Sequence, residues 1–405
     1  MNICVIGQGY VGLPISIKLA STGHKVYGFD IDLSKIKQLK LGVSTSPEVS
    51  SDQILRLQKS NQISFITELV ENLSIEVFII AVPTPLNENR EPELKMLENA
   101  CLTIAKFIES ESLIINESTS YIGTLRNFIY PLIEKNSSAK NLKYAVAPER
   151  IDPGNNTWKL ENTPRIISGL NEVAINQAVN LYSTFCNRIH RVDKPEIAEA
   201  AKLIENTFRQ VNIALVNELS EVASKFDFSL HDAIDAAATK PFGFMPFYPS
   251  IGVGGHCIPV DPAYLSFSAR QVGAESKFID LANATNLLMP AKVVARIETY
   301  LKHKLNEMKI QIAGITYKPG ISDIRESPAL ELIKILESKG AQVTYHDPYV
   351  SNWNHLSSDP LSADIDLGII VTPHEQIDFS IWKKFKTDVI DLSLSSNNFG
   401  WPKFF

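Results

Sequence analysis

The stretch "VIGQGYVGLPISIKLA" (residues 5–20) places three glycines between a short apolar run and a helical pattern. Gly7 allows a tight turn after a strand, Gly9 lets a pyrophosphate approach the backbone, and Gly12 lets the helix pack closely on the strand. The free N–H groups at the start of the helix then face the phosphates. The pattern predicts a dinucleotide site, although a tight strand-to-helix turn that binds no nucleotide would use the same residues.

The second apolar run, "KVYGFDID" (residues 25–32), ends in an acidic residue where dinucleotide-binding folds place one. The Asp30 carboxylate would accept hydrogen bonds from the ribose hydroxyls and would repel a 2′-phosphate. The sequence therefore predicts NAD rather than NADP as the cofactor. Besides the three glycines and Asp30, the predicted cofactor-binding residues of this region are Tyr10, Val11 and Lys35.

Strand-like and helical patterns alternate over the first part of the chain, which is the rhythm of a parallel, doubly wound sheet. The predicted strands of this part cover 2–6, 25–29, 63–66, 76–81, 112–116, 143–147 and 165–169. The middle of the chain shows helical patterns at 196–226, 230–239 and 276–303, and Pro290 is expected to interrupt the last of them.

Alternation of strands and helices returns near the end of the chain. The predicted elements there are strands at 309–315, 342–347, 366–372 and 388–392 and a helix at 328–340. We therefore predict an α/β fold with two Rossmann-like doubly wound domains, 1–195 and 305–405. An all-α central region, 196–304, with one long helix is expected to join them.

Two short segments follow the fourth and fifth predicted strands. They are "AVPTP" (81–85) and "NESTS" (116–120). Ligands of doubly wound sheets bind at the carboxyl ends of the strands, so Thr84 and Thr119 are candidates for the nicotinamide side. Threonine in such places also serves as a helix cap or turn former, and the pattern alone leaves both possibilities open.

Residues 253–265, "VGGHCIPVDPAYL", place one of four cysteines between two glycines and two prolines. A thiolate is a strong nucleophile toward carbonyl carbon. Gly254 and Gly255 would let a substrate and backbone donors approach, and the prolines would fix the loop. Cys257 is therefore predicted to be a nucleophile, with Asp261 close to it, although a lone cysteine is more often a small buried apolar residue.

The long helical pattern carries four polar residues whose offsets place them on one face: Lys202, Asn206, Arg209 and Asn217. A solvated helix face is the ordinary explanation of such residues. Asparagines with a lysine and an arginine among apolar neighbours are, however, unusual for a plain packing face. The pattern alone leaves catalysis and packing open.

The composition of the 405 residues argues against several classes of partner. The formal net charge is −6, which gives no field that would attract nucleic acid or an anionic membrane. The longest apolar runs have strand length, and we find no targeting pattern. The four cysteines are scattered without a CxxC pair, so neither a disulfide framework nor a metal site is predicted. We expect a cytoplasmic protein.

Together these segments resemble the UDP-glucose/GDP-mannose dehydrogenase family over essentially the whole chain. The motifs that carry the resemblance are "GQGYVGLP", "AVPTP", "APERIDPG" (147–154), "EAAKLIENTFRQVNIALVNE" (199–218), "GVGGHCIPVDP" (252–262) and "GITYKPGISDIRESPA" (314–329). The resemblance implies two Rossmann-type domains, a homodimer formed through the long helix, and oxidation of a sugar C6 alcohol to a carboxylate in two hydride transfers to NAD.

The resemblance also implies a role for individual residues. Its implied catalytic residues are Cys257 as the nucleophile, with Lys202, Asn206, Asp261, Glu149 and Thr119. Its implied contacts to a UDP-sugar are Glu149, Arg150, Ile151, Lys202, Asn206, Arg209, Phe247, Tyr248, Ser250, Gly254 and Lys318. Arg325 is implied as a further contact to the cofactor.

The sugar is indicated by departures from the pattern of the glucose enzymes. Those enzymes typically carry a serine and a lysine where this chain has His256 and Val260, and an acidic residue near the position of Pro153. This chain is most similar to the branch that acts on UDP-N-acetylhexosamines, so UDP-N-acetylglucosamine is expected and UDP-N-acetylmannosamine is the alternative. UDP-glucose, a single-step β-hydroxyacid-type dehydrogenase and a non-catalytic nucleotide-binding protein remain further alternatives.

Overall fold

The computed structural model describes residues 1–46, 48–151, 157–393, 399–401 and 404–405. These residues form two compact units. The first comprises Met1–Glu205 with Phe267–Gly273, and the second comprises Asn206–Ser266 with Ala274–Phe405. The domain boundaries 1–195, 196–304 and 305–405 stay a prediction.

The first unit is built on one large sheet. Its strands are β1 Asn2–Ile6, β2 Lys25–Phe29, β3 Ile63–Ile66, β4 Val77–Ile80, β5 Leu113–Asn116, β6 Lys143–Val146, β7 Arg165–Gly169 and β8 Ile189–Arg191. In the described residues they lie in the order β3-β2-β1-β4-β5-β6-β7-β8. Strand β8 was not predicted, because none of its three residues is fully buried and no apolar run marks it.

Helices cover both faces of this sheet. They are α1 Gly12–Ser21, α2 Leu33–Lys40, α3 Ser51–Lys59, α4 Lys95–Phe107, α5 Tyr130–Asn136 and α6 Glu172–Tyr182. A π-helical turn, Leu125–Ile129, precedes α5. Successive side chains of a strand point to opposite faces, so Ile3 and Val5 belong to one apolar core and Cys4 and Ile6 to the other.

The large sheet is parallel, as predicted, except at one pair of strands. Strand β7 runs antiparallel to β6, with Ala145 opposite Gly169. A parallel neighbour needs a crossover connection, usually a helix, whereas an antiparallel neighbour does not. The described residues of the connection from β6 to β7 contain no helix, which agrees with the antiparallel pairing.

The rest of the chain begins with the long helix α7, Pro195–Lys225. The helices that follow are α8 Leu230–Ala238, α9 Asp261–Gln271, α10 Lys277–Leu301, α11 Pro328–Ser338 and α12 Ser380–Phe385. The strands are β9 Lys309–Ala313, β10 Gln342–His346, β11 Asn352–Trp353, β12 Leu356–Ser357, β13 Leu367–Ile370 and β14 Val389–Asp391. Strands β10-β9-β13-β14 form a parallel sheet, and β11 and β12 form a small hairpin.

Two helices differ from the prediction. Helix α9 was missed, because it begins inside a Pro-rich segment that reads as a loop. Helix α10 runs through Pro290 without the interruption that was expected. Proline has no N–H to give to the carbonyl four residues earlier, so the carbonyl of Asn286 lacks its helical donor.

The turn after the first strand of each sheet has the same construction. Gly7 has φ +94° and its N–H donates to the carbonyl of Phe29 (2.8 Å), while Gly314 has φ +81° and donates to the carbonyl of His346 (2.8 Å). An aspartate after the second strand accepts the next N–H: Gln8 to Asp30 and Ile315 to Asp347, both 2.8 Å. The two turns therefore confirm two Rossmann-like sheets. Among the described residues, no helix has the length and apolarity that crossing a bilayer requires.

Candidate active site

The glycine-rich turn of the first unit requires two of its glycines for packing. A Cβ on Gly7 would lie 2.3 Å from the carbonyl oxygen of Ala81, and a Cβ on Gly12 would lie 1.8 Å from that of Gly7. No side chain fits at these distances. Both glycines therefore bring strand β1, the start of α1 and the end of β4 into close contact.

Gly9 differs, because no atom lies within 4 Å of the position of its Cβ. This open space lies beside the N-terminus of α1, where the residues preceding Leu13 have N–H groups without helical acceptors. Tyr10 and Val11 are partly exposed around it. The geometry fits a pyrophosphate, which would occupy the space that a side chain at position 9 would block.

The Asp30 carboxylate is held by three donors. The N–H of Gln8 (2.8 Å) and the Nζ of Lys35 (2.7 Å) donate to Oδ2, and the N–H of Asp32 (2.9 Å) donates to Oδ1. Burial raises the pKa of Asp30, but these hydrogen bonds offset it and hold the pKa below its usual value. A carboxylate can accept about four hydrogen bonds, so capacity remains for a ribose hydroxyl. Lys35 orients this carboxylate.

Thr84 and Thr119 are brought together, as their positions after neighbouring strands predicted. The hydroxyl of Thr84 donates to the carbonyl of Thr119 (2.7 Å). The sequence did not point to Ser118, whose hydroxyl accepts from the N–H of Val82 (2.9 Å) and donates to its carbonyl (2.8 Å). These bonds join the two loops at the carboxyl edge of the sheet.

The segment after β6 carries Glu149, Arg150 and Ile151. The Glu149 carboxylate is buried and accepts the N–H of Ile151. The guanidinium of Arg150 makes an ion pair with Glu205 (2.6 Å) and donates to the carbonyl of Pro164 (2.7 Å). Pro153, which bears on the choice of sugar, lies outside the described residues.

A buried ion pair beneath this segment was missed by the sequence analysis. Arg165 donates to Glu117 (2.5 Å) and to the carbonyl of Ala147 (3.4 Å), and the hydroxyl of Tyr182 also donates to Glu117. Burial opposes the charge of Arg165, but the Glu117 carboxylate more than offsets this and keeps its pKa above the usual value. The pair joins residues 48 positions apart, and no spacing rule connects them.

Helix α7 carries the polar residues that the sequence singled out. Lys202, Asn206 and Asn217 are buried, whereas Arg209 is exposed. In the second unit, the amide of Asn206 donates to Oδ2 of Asp261 (2.6 Å), the first residue of α9. Two residues that the resemblance implies as catalytic, Asn206 and Asp261, are therefore in direct contact.

Cys257 is partly exposed and forms no disulfide, whereas Cys4, Cys101 and Cys186 are buried. Its carbonyl accepts the N–H groups of Val260 (3.1 Å) and Asp261 (2.8 Å), so Cys257 sits in the turn that starts α9. Burial raises the pKa of the Cys101 thiol to about 12. Exposure to solvent makes Cys257 the cysteine that a substrate can reach.

The glycines before Cys257 have a different role from the one expected. A Cβ on Gly254 would lie 2.7 Å from Cβ of Tyr317, and a Cβ on Gly255 would lie 2.9 Å from its ring. The N–H of Gly255 also donates to the carbonyl of Arg325 (3.0 Å). The side-chain space of both glycines is thus filled by the 314–327 loop, which carries Lys318, and they fix the cysteine loop against that loop.

A buried amide network holds the start of the same loop. Asn217 accepts the N–H of Ser250 (2.7 Å) and donates to the side chain of Asn286 (2.9 Å). Asn286 in turn donates to the carbonyl of Gln210 (3.1 Å). The packing role of Asn217, left open by its sequence, is to tie α7, α10 and the loop together.

Three further predicted residues make contacts within the second unit. The ring of Phe247 packs edge-on against Phe208 (5.7 Å between ring centres). The hydroxyl of Tyr248 donates to Asp235 (2.5 Å), and that bond raises the pKa of Tyr248. Arg325 makes a bidentate ion pair with Asp323 (2.9 and 2.5 Å) and contacts Nδ1 of His256 (3.3 Å).

Comparison with known proteins decides the family. Residues 1–186 match the NAD-binding domain of the UDP-glucose/GDP-mannose dehydrogenase family, residues 196–287 its central domain, and residues 311–393 its UDP-binding domain. The chain belongs to this family. This UDP-sugar dehydrogenase therefore has NAD as its cofactor and is an NAD-dependent oxidoreductase.

Curated relatives of this dehydrogenase act on two different sugars. It is 36% identical to the UDP-N-acetyl-D-mannosamine dehydrogenase of Pyrococcus horikoshii, over 95% of this chain and 92% of that one. It is 32% identical to the UDP-N-acetyl-D-glucosamine 6-dehydrogenase of Pseudomonas aeruginosa, over 87% of this chain and 83% of that one. The solved UDP-D-ManNAc dehydrogenase of P. horikoshii matches with TM-score 0.88 and 33% identity, over 99% and 98% of the two chains.

Proposed function

We propose that this dehydrogenase oxidises the C6 alcohol of a UDP-N-acetylhexosamine to the carboxylate, with Cys257 as a covalent nucleophile. The observation that carries the proposal is the state of Cys257. It is a partly exposed thiol outside any disulfide, four residues before Asp261, whose buried carboxylate is hydrogen-bonded to Asn206. The loop that holds it has its glycines packed against Tyr317, so the backbone that carries the sulfur is held in a defined position.

The first step removes a proton and a hydride from the C6 alcohol. NAD supplies the hydride acceptor for each oxidation. In our proposal a water held by Asp261 and Lys202 takes the hydroxyl proton. Thr84 and Thr119 line the nicotinamide side, where their mutual hydrogen bond fixes the loops after β4 and β5. The product of this step is an aldehyde.

The second step begins with attack of the Cys257 thiolate on the aldehyde carbon. A carbon–sulfur bond forms, the carbonyl oxygen takes up a proton, and the result is a thiohemiacetal. Loss of a second hydride and of the hydroxyl proton gives a thioester. Capture by sulfur keeps the reactive aldehyde on the protein between the two oxidations.

Hydrolysis completes the reaction. Water attacks the thioester carbon, the carbon–sulfur bond breaks, and the thiolate of Cys257 is regenerated with the sugar carboxylate. Lys202 and Asn206 are proposed to stabilise the negative charge that develops on oxygen. Because Asn206 already donates to Asp261, a change at either residue would disturb the other.

The substrate contacts are also proposals. Glu149, Arg150 and Ile151 are assigned to the sugar. Arg209, which is exposed, and Lys318 are assigned to the diphosphate, since both are cations. The segment containing Phe247, Tyr248, Ser250 and Gly254 is assigned to the nucleotide, supported by its anchors on Asn217 and Tyr317.

Two sugar epimers are supported by different observations. Relatives named as UDP-N-acetyl-D-mannosamine dehydrogenases align over 95% of this chain in P. horikoshii and 98% in Methanocaldococcus jannaschii, which favours the manno sugar. The gluco sugar, expected from "GHCIPVDP", is supported by relatives that align over 87% and 86% of the chain. We propose UDP-N-acetylmannosamine as the first candidate and UDP-N-acetylglucosamine as the second, which reverses the order expected from the sequence.

The test is a panel of UDP-sugars with NAD, read for rate and for NADH formed per sugar. We expect one of the two acetylated sugars to react fastest, and two NADH to form for each uronic acid. Faster reaction with UDP-glucose would overturn the proposed sugar class. One NADH per sugar would overturn the four-electron reaction and would support a single-step dehydrogenase.

We further propose a homodimer formed through α7. In the second unit this helix exposes an apolar stripe at the helical spacing of 7, 4, 3 and 4 residues. Its members are Phe208, Leu215, Leu219 and Val222 on the helix and Phe226 directly after its last residue, each at least 40% exposed. Large apolar side chains at such spacing indicate a packing face on a partner.

A further inference from the structure

Glu199 is a buried carboxylate for which the proposed chemistry has no use. It lies on α7, is 2% exposed, and accepts the N–H groups of Gly123 (2.6 Å) and Leu125 (2.9 Å). Gly123 lies in the segment that leads from Thr119 to the π-helical turn, and Leu125 is the first residue of that turn. One carboxylate from a distant helix thus satisfies two buried donors of this turn.

The same turn is anchored at other points. The hydroxyl of Thr84 donates to the carbonyl of Thr119 (2.7 Å), and the N–H of Ile122 donates to the hydroxyl of Ser268 (3.0 Å). Lys202 follows Glu199 by three residues on α7, which is close to one helical turn. Glu199 therefore joins the segment that carries Thr119 to the part of α7 that carries Lys202.

We propose that Glu199 is a positioning residue whose ionised carboxylate holds the 119–125 segment in the geometry needed at the nicotinamide side. The inference rests on the proposed function, because it uses the roles assigned there to Thr119 and Lys202.

The charge state of Glu199 controls these two hydrogen bonds. When the carboxylate is ionised, both oxygens accept an N–H. When it is protonated, one oxygen carries a hydrogen that faces an N–H donor, and one of the two bonds is lost. Protonation therefore loosens the hold of Glu199 on Gly123 or Leu125.

The proton equilibrium of Glu199 falls near neutral pH. Burial raises the pKa of Glu199 to about 7, against the lowering effect of the N–H groups of Leu125 and Gly123. Of the charged groups that face it, Glu196 raises this pKa and Arg126 lowers it; Tyr121 is the other titratable neighbour. The folded-state pKa lies above the ordinary 4.5, so folding favours the protonated form of Glu199. The contribution of this preference to the free energy of unfolding is complete below pH 4.5 and is lost as the pH rises through about 7.

The test compares Glu199→Gln with Glu196→Gln as the matched control. Glu196 lies on the same helix and pairs with the side chain of Arg126 in the same π-helical turn, but it holds neither amide. For each full-length variant, kcat/KM for NAD is measured with the sugar that reacts fastest. The pH runs from 5.5 to 8.5, roughly the range in which Glu199 titrates. Hydrogen exchange of the 119–125 amides and thermal unfolding are measured on the same proteins without substrate.

Three results are expected for E199Q. The ratio of kcat/KM of the wild type to that of E199Q is about 10 to 100 at pH 8.5. It falls toward about 1 at pH 5.5, because protonated Glu199 resembles glutamine. The amides of Gly123 and Leu125 exchange faster than in the wild type at pH 8. The Tm at pH 8 is not below that of the wild type, because a buried charge has been removed.

Other outcomes overturn the inference. A ratio that does not change with pH, exchange like that of the wild type, or an activity loss that follows a lower Tm at every pH would show a merely structural role. An equal effect of E196Q would also overturn it. If the wild type oxidised no UDP-N-acetylhexosamine, the proposed function would fail, and the exchange and unfolding data would still decide whether Glu199 holds the turn.

Discussion

The Asp30 carboxylate organises the residues around it before any ligand binds. Its oxygens accept from the backbone at Gln8 and Asp32 and from the ammonium group of Lys35. The aspartate was identifiable from its distance to the glycine-rich turn. Its salt bridge to Lys35 was not, because that depends on the rotamers of two side chains.

We predict that Asp30→Asn weakens NAD binding by about 10- to 100-fold, since a charge-assisted hydrogen bond to the ribose is worth about 1.5–3 kcal/mol. The discrimination against NADP should shrink, because the charge that repels a 2′-phosphate is gone. Calorimetric titration with both cofactors measures this.

Asp32→Asn is the control for that experiment. Asp32 caps α2 by accepting from Ser34 and Lys35, and asparagine is an equally good capping residue. An unchanged affinity of D30N for NAD, or an equal loss in D32N, would contradict the role of Asp30.

At the scale of elements, the loop 250–257 is fixed by helix α7 on one side and by the 314–327 loop on the other. Asn217 holds Ser250, and Tyr317 fills the space beside Gly254 and Gly255. Gly252, with φ +128°, lies against the carbonyl of Asn286, which Pro290 leaves without a helical donor. The carbonyl that Pro290 frees thus lies beside the glycine of this loop.

We predict that Asn217→Ala lowers the free energy of unfolding by about 1–3 kcal/mol, because it leaves the buried N–H of Ser250 without its acceptor. The KM for the UDP-sugar should rise, since the loop assigned to the nucleotide loses an anchor. Urea unfolding and steady-state kinetics measure the two effects. Asn212→Ala is the control, because the side chain of Asn212 donates to the carbonyl of Phe208 on its own helix and, among the described residues, anchors no loop. Equal effects of the two substitutions would refute the anchoring role.

The sequence predicted most elements because their patterns are local. Strands such as β1 and β9 are apolar runs, and α7 is a long helical pattern without glycine or proline after its first residue, Pro195. The antiparallel course of β7 could not be predicted, because it depends on the connection from β6. The helix that starts at Asp261 could not be predicted either, because it depends on contacts at its first turn rather than on periodicity. At the site, Cys257 and Asp261 were visible in one motif. Arg165 and Glu199 were not, since their partners lie 48 and 76 residues away.

At the scale of the whole molecule, the unexplained feature is the apolar stripe of α7. Phe208, Leu215 and Leu219 are large and exposed in a chain whose net charge is only −6. Monomeric soluble proteins rarely leave such a continuous patch in water.

We predict that Leu215→Glu shifts the protein from dimer to monomer, because it places a charge in the apolar seam. Sedimentation velocity measures this. Glu218→Gln, a change at an exposed neighbour outside the stripe, should leave the dimer intact. A wild-type protein that sediments as a monomer would contradict the proposed interface.

The central claim is that the aldehyde is captured by the sulfur of Cys257. The most direct measurement follows NADH and uronic acid formed by Cys257→Ser, with hydroxylamine present to trap free aldehyde. Cys186→Ser is the control, because Cys186 is a buried thiol whose Sγ lies near the carbonyl of Arg188 (3.3 Å), a place where a hydroxyl can also donate. We predict that C257S forms the trapped aldehyde and almost no acid, while C186S forms acid with two NADH per sugar. Formation of acid by C257S at the rate of the wild type would contradict the account.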